Sequence, residues 1–420
     1  MEAKSLDAWL SELEQLHPSA IDLGLTRCGE VAERLDLLST PATTITVAGT
    51  NGKGSTVAVM ESILCEQGLI CGAFTSPHLI RYAERIRVNG EEVKDELIVQ
   101  AFEEIDVARG DISLTYFEFG ALAALWVFRE MKVSHQLLEV GLGGRLDAVN
   151  IIDADVAVIT AIGLDHQEWL GSDVETIAIE KCGIARSGKP CVVADEHAPV
   201  TVMSTLEKIG SQAVRAGDEY HFSDQEFVGA IARSFPWSIP EGVIPLNAAA
   251  AVTALQCAGI RVDGERFTAA TERLTLRGRR EHIDMGGLSV VMDVAHNPDA
   301  VRELGEFLVT LPQVDNTVAV FAVMSDKDCR DMIATLQHDV DFWCLPRGIG
   351  GERGQEPDHI AGFLGGNAEV FESFSQSLDH ALAQLAGVGR LLIFGSFFTV
   401  AAGLEALEII AKASRGERDV

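Results

Sequence analysis

The chain has no C-x-x-C pair; its eight cysteines are scattered singly along 420 residues. That spacing argues against a zinc cluster and against a disulfide framework, and leaves the cysteines as small buried apolar groups. Long hydrophobic runs are also missing. The longest apolar stretches, such as Leu391 to Leu404, fall short of the ~20 residues of a membrane span and are broken by Gly and Ser. Positive charge is scarce: Lys and Arg number 33 against 63 Asp and Glu, a net charge of −30. Nucleic acid and anionic membrane both require a cationic face, so neither is an expected partner. Any anion site must be local. Met1-Glu2-Ala3-Lys4-Ser5-Leu6 lacks a basic segment followed by an apolar one, which excludes a secretory signal from the reading and points to the cytoplasm.

With 47% hydrophobic and 23% charged residues, the chain reads as a globular protein long enough for two or three cores. The stretch that organises it is Gly49-Thr50-Asn51-Gly52-Lys53-Gly54-Ser55. It follows the β-branched run Thr44-Ile45-Thr46-Val47 and leads into apolar residues at helical spacing from Thr56. Strand, glycine-rich turn and helix form a polyphosphate cradle: backbone N–H groups converge, the helix adds its positive end, and Lys53 adds a mobile charge. The strict P-loop spacing is not met, because Val47 occupies its first glycine position and Gly54 separates Lys53 from Ser55. The plain alternative is a glycine-rich β–α turn without a ligand.

Further along, strands are predicted over 69–75, 135–140 and 155–162, and helices over 6–18, 25–38, 55–67, 95–109, 116–131 and 173–186. This alternation predicts a mostly parallel sheet with helices on both faces, whose ligands bind outside the strands' carboxyl ends. Ser76, Glu139 and His166 all stand at such ends. Hydroxyl, carboxylate and triphosphate oxygens suit magnesium, although His166 is a less usual ligand for it. Singly, Glu139 also reads as a solvated strand-end carboxylate and His166 as a satisfied loop histidine. The basic segment Arg81 to Gly90 reads either as solvated surface or as part of this edge. On the helix from Asp173, Lys181 falls on the apolar face with Ile177, Ala178 and Ile184. Burial there favours the neutral amine; the alternative is a side chain that reaches out to solvent.

Short antiparallel strands are expected over 211–243, followed by helices from Leu246 and from Asp263. The cationic turn Arg277-Gly278-Arg279-Arg280 marks a boundary, giving an ATP-binding part over 1–281 and a smaller Rossmann-like part over 282–420. There the strand 288–295 ends at Asp293 and His296, and strands recur near 317–324, 341–345 and 390–396. The expected architecture is α/β: a P-loop-type, mostly parallel sheet domain and then a smaller Rossmann-like domain, with the site in the cleft between them.

These motifs, together with Thr75-Ser76-Pro77-His78-Leu79, Leu138 to Asp147, Leu164-Asp165-His166, Glu180 to Ile184 and Asp293 to Pro298, resemble folylpolyglutamate synthase of the Mur ligase superfamily. Ile21 to Leu25, Arg81 to Gly90 and Thr115 to Gly120 are most similar to the bacterial bifunctional form, which is also a dihydrofolate synthase. The resemblance implies ATP-dependent addition of L-glutamate to dihydropteroate and to reduced folates through an acyl phosphate. It implies ATP on Thr50, Asn51, Gly52, Lys53, Gly54 and Ser55, with Asn247, Arg279 and Asp293; Arg277 is a second candidate for the arginine. Two magnesium ions are implied, one on Ser76 and Glu139 and one on Glu139 and His166, with Lys181 carbamylated. His296 would lie near the transferred phosphate, so Lys181, Glu139 and His296 are the implied catalytic set. The pterin would fall to Asp22, Leu23, Thr115, Tyr116, Phe117, Glu118, Leu146, Asp147 and Ala148. Ser55 and Phe398 depart from the threonine and histidine frequent in relatives. Nothing demands more than a monomer. A cell-wall ligase of the same superfamily and a nucleotide-binding regulatory module are the other readings.

Overall fold

The computed structural model describes residues 4–17, 19, 21–229, 234–272 and 274–414. The chain divides into two compact units, Met1–Leu274 and Thr275–Val420. The first is built on β1 (Thr43–Ala48), β2 (Cys71–Phe74), β3 (Ile86–Val88), β4 (Glu91–Glu92), β5 (His135–Glu139), β6 (Val156–Ile159), β7 (Pro190–Val193) and β8 (Gln212–Arg215). They form one sheet in the order β4-β3-β2-β5-β1-β6-β7-β8, parallel except where β3 and β4 fold back. The central strand β1 is buried on both faces from Thr44 onward, as a strand covered by helices must be.

Helices α1 (Leu6–Leu16), α2 (Thr26–Arg34), α3 (Lys53–Glu66), α4 (Asp95–Arg109), α5 (Tyr116–Glu130), α6 (Gln167–Leu170), α7 (Val174–Cys182), α8 (Val200–Ile209), α9 (Pro245–Cys257) and α10 (Gly264–Thr271) complete the unit. One large core joins Trp9, Leu13, Phe102, Phe119 and Phe128 to the sheet residues Phe74, Leu138 and Ile159. A small antiparallel sheet, β9 (His221–Phe222), β10 (Glu226–Val228) and β11 (Phe235–Pro236), packs its rings around Phe227 and Trp237.

Several expectations need correction. The second helix stops at Arg34 rather than near Leu38, because Asp36 turns left-handed (φ 55°) and lets Leu37 N–H reach Ala32 O at 2.9 Å. The helix carrying Lys181 ends at Cys182 instead of Arg186; Gly183 O is taken by Asn150 Nδ2 at 3.1 Å. The first strand expected in the antiparallel group, β8, pairs parallel with β7 and extends the main sheet. Of 211–243, residues 230–233 lie outside the described residues, as do residue 18 of the first expected helix and residue 273 of the last in this unit.

The second unit holds β12 (Glu281–Asp284), β13 (Leu288–Asp293), β14 (Thr317–Phe321), β15 (Phe342–Pro346), β16 (Ala368–Phe371) and β17 (Gly389–Phe394), in the order β12-β13-β17-β14-β15-β16. All pairs are parallel except β12 with β13. Strand β12 escapes sequence reading because it is a polar edge strand. Helices α11 (Pro298–Thr310), α12 (Cys329–Leu336), α13 (Pro357–Leu364), α14 (Phe374–Leu385) and α15 (Phe397–Ser414) accompany the sheet. A separate core centres on Phe321, Trp343 and Phe394. Among the described residues, no helix is long and apolar enough to cross a membrane.

Candidate active site

The phosphate loop leaves β1 and enters α3 through Gly52, whose φ of +88° belongs to the region favouring glycine. Among the described residues no side chain caps this helix at Gly52, and a helix N-terminus of this kind suits an anion. A Cβ on Gly52 would stand 2.4 Å from Asn247 Oδ1, so the glycine is what lets α9 approach the loop. Asn247 is buried and its Nδ2 has no partner among the described residues, a donor facing the loop's side of α9. Thr160 at the end of β6 donates to Asn51 O at 2.7 Å, and Thr50 Oγ1 both donates to Gly163 O and accepts from its N–H at 3.0 Å. Thr50 and Asn51 are thus latched to the neighbouring strand end, Lys53 Nζ bonds its own loop at Gly49 O and Thr50 O, and Gly54 and Ser55 are buried in the first turn of α3.

Two lysines converge on one carbonyl of this loop. Lys53 Nζ lies 3.1 Å and Lys181 Nζ 2.8 Å from Gly49 O. Lys181 is 4% exposed. Burial, and secondarily the charge of Lys53, bring its amine down to about 7, against the opposing pull of Asp165 and Asp147. The structure therefore encloses Lys181 rather than letting it reach solvent, and sets it at the phosphate loop.

At the end of β5, the buried Glu139 accepts the Ser76 N–H at 3.0 Å, so these two expected metal-holding residues meet. The preceding Thr75 is fixed by Arg87, whose Nη1 donates to its Oγ1 at 2.9 Å while Nε and Nη2 grip Glu61 Oε2 at 2.9 and 2.7 Å. Glu61 belongs to α3, so this pair ties the phosphate-loop helix to the Ser76 turn. Neither Arg87 nor Glu61 was singled out from sequence; Glu61 stands among Val57, Met60 and Leu64, the same misplaced-charge pattern that marked Lys181. His166 adopts φ 50°, bonds Asp165 through its N–H at 2.8 Å and presents a side chain 40% exposed. No three His, Cys, Asp or Glu side chains gather into a metal site among the described residues. Oxygen donors such as Ser76 and Glu139 fit a magnesium ion that takes its other ligands from water and phosphate.

The residues implied for the pterin divide into two kinds. Asp147 is buried and accepts the N–H groups of Gly141, Leu142 and Val149 at 2.9 to 3.0 Å, folding the glycine-rich loop around itself. Burial pushes its carboxyl up to about 6 despite those three bonds and the charge of Lys53. Thr115 and Glu118 form a reciprocal cap on α5, and Glu118 also binds Arg27, which pairs with Asp22 at 2.7 Å. These carboxylates are largely occupied by the protein. Phe117 lies against Gly141, where a Cβ would come within 2.6 Å of its ring, and against Phe74 at 5.7 Å. Leu23 is half-buried, Leu146 half-buried and Ala148 buried beside them in the chain.

In the second unit, the buried Asp293 accepts from Arg280 N–H at 2.9 Å and Ala295 N–H at 2.7 Å; burial raises its carboxyl against the pull of Arg280 and Arg279. Arg279 stacks over Phe397 at 5.6 Å, and the His296 ring lies 6.0 Å from the same phenyl. Arg277 instead pairs with Glu408 at 3.2 Å. Of the two candidate arginines, Arg279 is the one grouped with His296. Arg280, not expected from sequence, packs over Phe307 and bonds Glu303 O at 3.0 Å.

Residues 278–397 match the family described as Mur ligase, glutamate ligase domain. The dihydrofolate synthase/folylpolyglutamate synthase of Escherichia coli (strain K12) is 42% identical over 419 residues, covering 99% of this chain and 98% of that protein. The solved structure of E. coli FolC in complex with DHPP and ADP superimposes with a TM-score of 0.93 at 42% identity, covering 97% of this chain and 99% of that one. A crystal structure of a bifunctional folylpolyglutamate synthase/dihydrofolate synthase with Mn, AMPPNP and L-glutamate bound superimposes with a TM-score of 0.89 at 40% identity, over 96% and 98% of the two chains.

Proposed function

Because the chain belongs to the dihydrofolate synthase/folylpolyglutamate synthase family, we propose that its phosphate loop and buried Lys181 serve the phosphorylation of a carboxylate. The protein is a ligase that adds L-glutamate to dihydropteroate, giving dihydrofolate, and to reduced folates, giving folylpolyglutamates. A carboxylate oxygen is a poor leaving group. Transfer of the γ-phosphoryl group from ATP makes an acyl phosphate, from which the amine of glutamate displaces phosphate with loss of a proton.

The observation that carries this reading is the meeting of Lys181 and Lys53 on Gly49 O at the mouth of an uncapped helix. Thr50 to Ser55 hold the triphosphate, Lys53 swings from the loop carbonyls to its oxygens, and Asn247 offers its unpartnered amide to the base. A divalent cation held by Ser76 and Glu139 would neutralise charge shared between the carboxylate and the triphosphate; a second, shared by Glu139 and His166, belongs to the same proposal. Lys181 near its neutral form can attack carbon dioxide, losing a proton and becoming a carbamate anion beside those ions. Arg279, Asp293 and His296 are assigned to the nucleotide and the transferred phosphate. Asp22, Leu23, Tyr116, Phe117 and the 146–148 turn are assigned to the pterin, with Thr115, Glu118 and Asp147 shaping it through backbone bonds.

One assay tests the reading. With Mg-ATP, L-glutamate and either dihydropteroate or tetrahydrofolate, ADP should appear only when both co-substrates are present. Release without glutamate, or none with either pterin, would overturn it.

A further inference from the structure

Three arginines stand in the basic segment 81–90, and two are engaged by carboxylates. Arg81 pairs with Glu92 at 3.4 Å and Asp95 at 3.2 Å, and Arg87 with Glu61 at 2.7 Å. Arg85 has no carboxylate partner among the described residues. The adjacent Glu84 is occupied, taking the N–H groups of Leu79, Ile80 and Arg81 at 2.7 to 2.8 Å. Arg85 is nevertheless held firmly. Its Nε donates to His78 Nδ1 at 2.8 Å, and its guanidinium carbon lies 5.4 Å from the Tyr82 ring and 5.5 Å from the Tyr116 ring. That bracing leaves Nη1 and Nη2, the fork that grips carboxylates, without a protein partner among the described residues.

Its place is equally specific. Arg85 O accepts the Thr75 N–H at 2.9 Å, and the next residue, Ser76, bonds Glu139. On its other side is Tyr116, the first residue of α5 and part of the segment assigned to the pterin. Arg85 thus stands between the phosphate edge and the pterin segment, where the aminobenzoyl-glutamate part of a folate must lie. In a chain of net charge −30, an anionic ligand needs such a local cation. A folate carries one carboxylate that dihydropteroate lacks, the α-carboxylate beside the reacting γ-carboxylate. A carboxylate clamped by a guanidinium is a weaker nucleophile, so the clamp suits the one that does not react.

We propose that Arg85, braced by His78, Tyr82 and Tyr116, binds the α-carboxylate of the terminal glutamyl residue of folate substrates and so separates folate recognition from dihydropteroate recognition. The inference rests on the ligase reading above. It is tested by steady-state kinetics of the wild type and Arg85→Gln with dihydropteroate, tetrahydrofolate and tetrahydrofolate bearing an α-carboxamide. Loss of a charge-assisted bidentate contact should raise KM for tetrahydrofolate about 30-fold in the variant, with at least a tenfold smaller effect on dihydropteroate. The wild type should reject the α-carboxamide by a similar factor, and the variant should no longer distinguish it from tetrahydrofolate. The carboxamide comparison in the wild type needs no variant, so a folding defect cannot mask the result. Equal losses on dihydropteroate and tetrahydrofolate would place Arg85 on the shared aminobenzoyl part, and a wild type indifferent to the carboxamide would remove the clamp; either overturns the proposal. Failure of the wild type to release ADP with any pterin would instead remove the ligase reading.

Discussion

Lys181, buried, and Arg87, half-buried, are both cations of the first unit, and among the described residues only Arg87 is paired with a carboxylate. Burial works against the guanidinium, but Glu61 outweighs it and holds the Arg87 charge more firmly than usual. Lys181 meets a neutral carbonyl and a second lysine, and its amine falls to about 7. The charge that is kept ties α3 to the Thr75–Ser76 turn. The charge that is weakened belongs to an amine set at the phosphate loop. Enclosure therefore holds the charge in one place and weakens it in the other, and the presence of an acidic partner decides which.

The largest effect expected from breaking this contrast is at Lys181. Lys181→Ala should lower kcat about 1000-fold by removing a charged group from the reacting centre, and acetate or another short carboxylate should restore part of it. Lys181→Arg is the sharper variant, because a guanidinium stays protonated and cannot add carbon dioxide. Retention of activity in Lys181→Arg would show that a fixed cation suffices and that the neutral amine is incidental.

At Arg87 the expected loss is of stability. Arg87→Met leaves Glu61 buried without its partner, which costs about 3–5 kcal/mol, read as a fall in the urea midpoint of the first unit. The double variant Glu61→Leu/Arg87→Met should recover most of that loss, since an apolar pair needs no compensation. If the double variant is as unstable as the single one, the pair matters through Thr75 and Glu84 O rather than through Glu61.

The contrast was half legible in the sequence. Helical spacing alone puts Lys181 on an apolar face but leaves open a side chain that reaches out to solvent; its enclosure is seen only in the structure. Glu61 carries the same mark, yet its partner is remote: Arg87 reaches it only because β3 folds back antiparallel on β2. That reversal is made by the 75–85 connection, too long to carry a short-range hairpin signal, whereas Asn89 and Gly90, left-handed at φ 57° and 80°, make the next turn, from β3 into β4. The parallel strands β1, β5 and β6 and the phosphate loop were legible because β-branched runs and glycine turns are local. The polar strand β12, the pairing of β8 and the grouping of Arg279 with His296 depend on tertiary neighbours and left no local trace.

The smallest expected effect is a slope. In the unfolded chain Lys181 titrates near 10.5 and in the folded protein near 7. Below the lower value both states bind the proton and the cost of enclosing the charge is fully present. Between the two values only the unfolded chain holds the proton, so the unfolding free energy contributed by this residue rises with pH, by at most about 1.4 kcal/mol per pH unit. Lys181→Met has no proton to exchange, so the wild type should gain on it steadily between about pH 8 and about pH 10 in buffer purged of carbon dioxide. Arg87→Met should show no such drift, because the guanidinium keeps its proton in both states throughout that window. A flat difference between wild type and Lys181→Met would mean that the enclosed amine stays charged. Both cations would then be held in the same way, and the carbonyl of Gly49 would be doing for Lys181 what Glu61 does for Arg87.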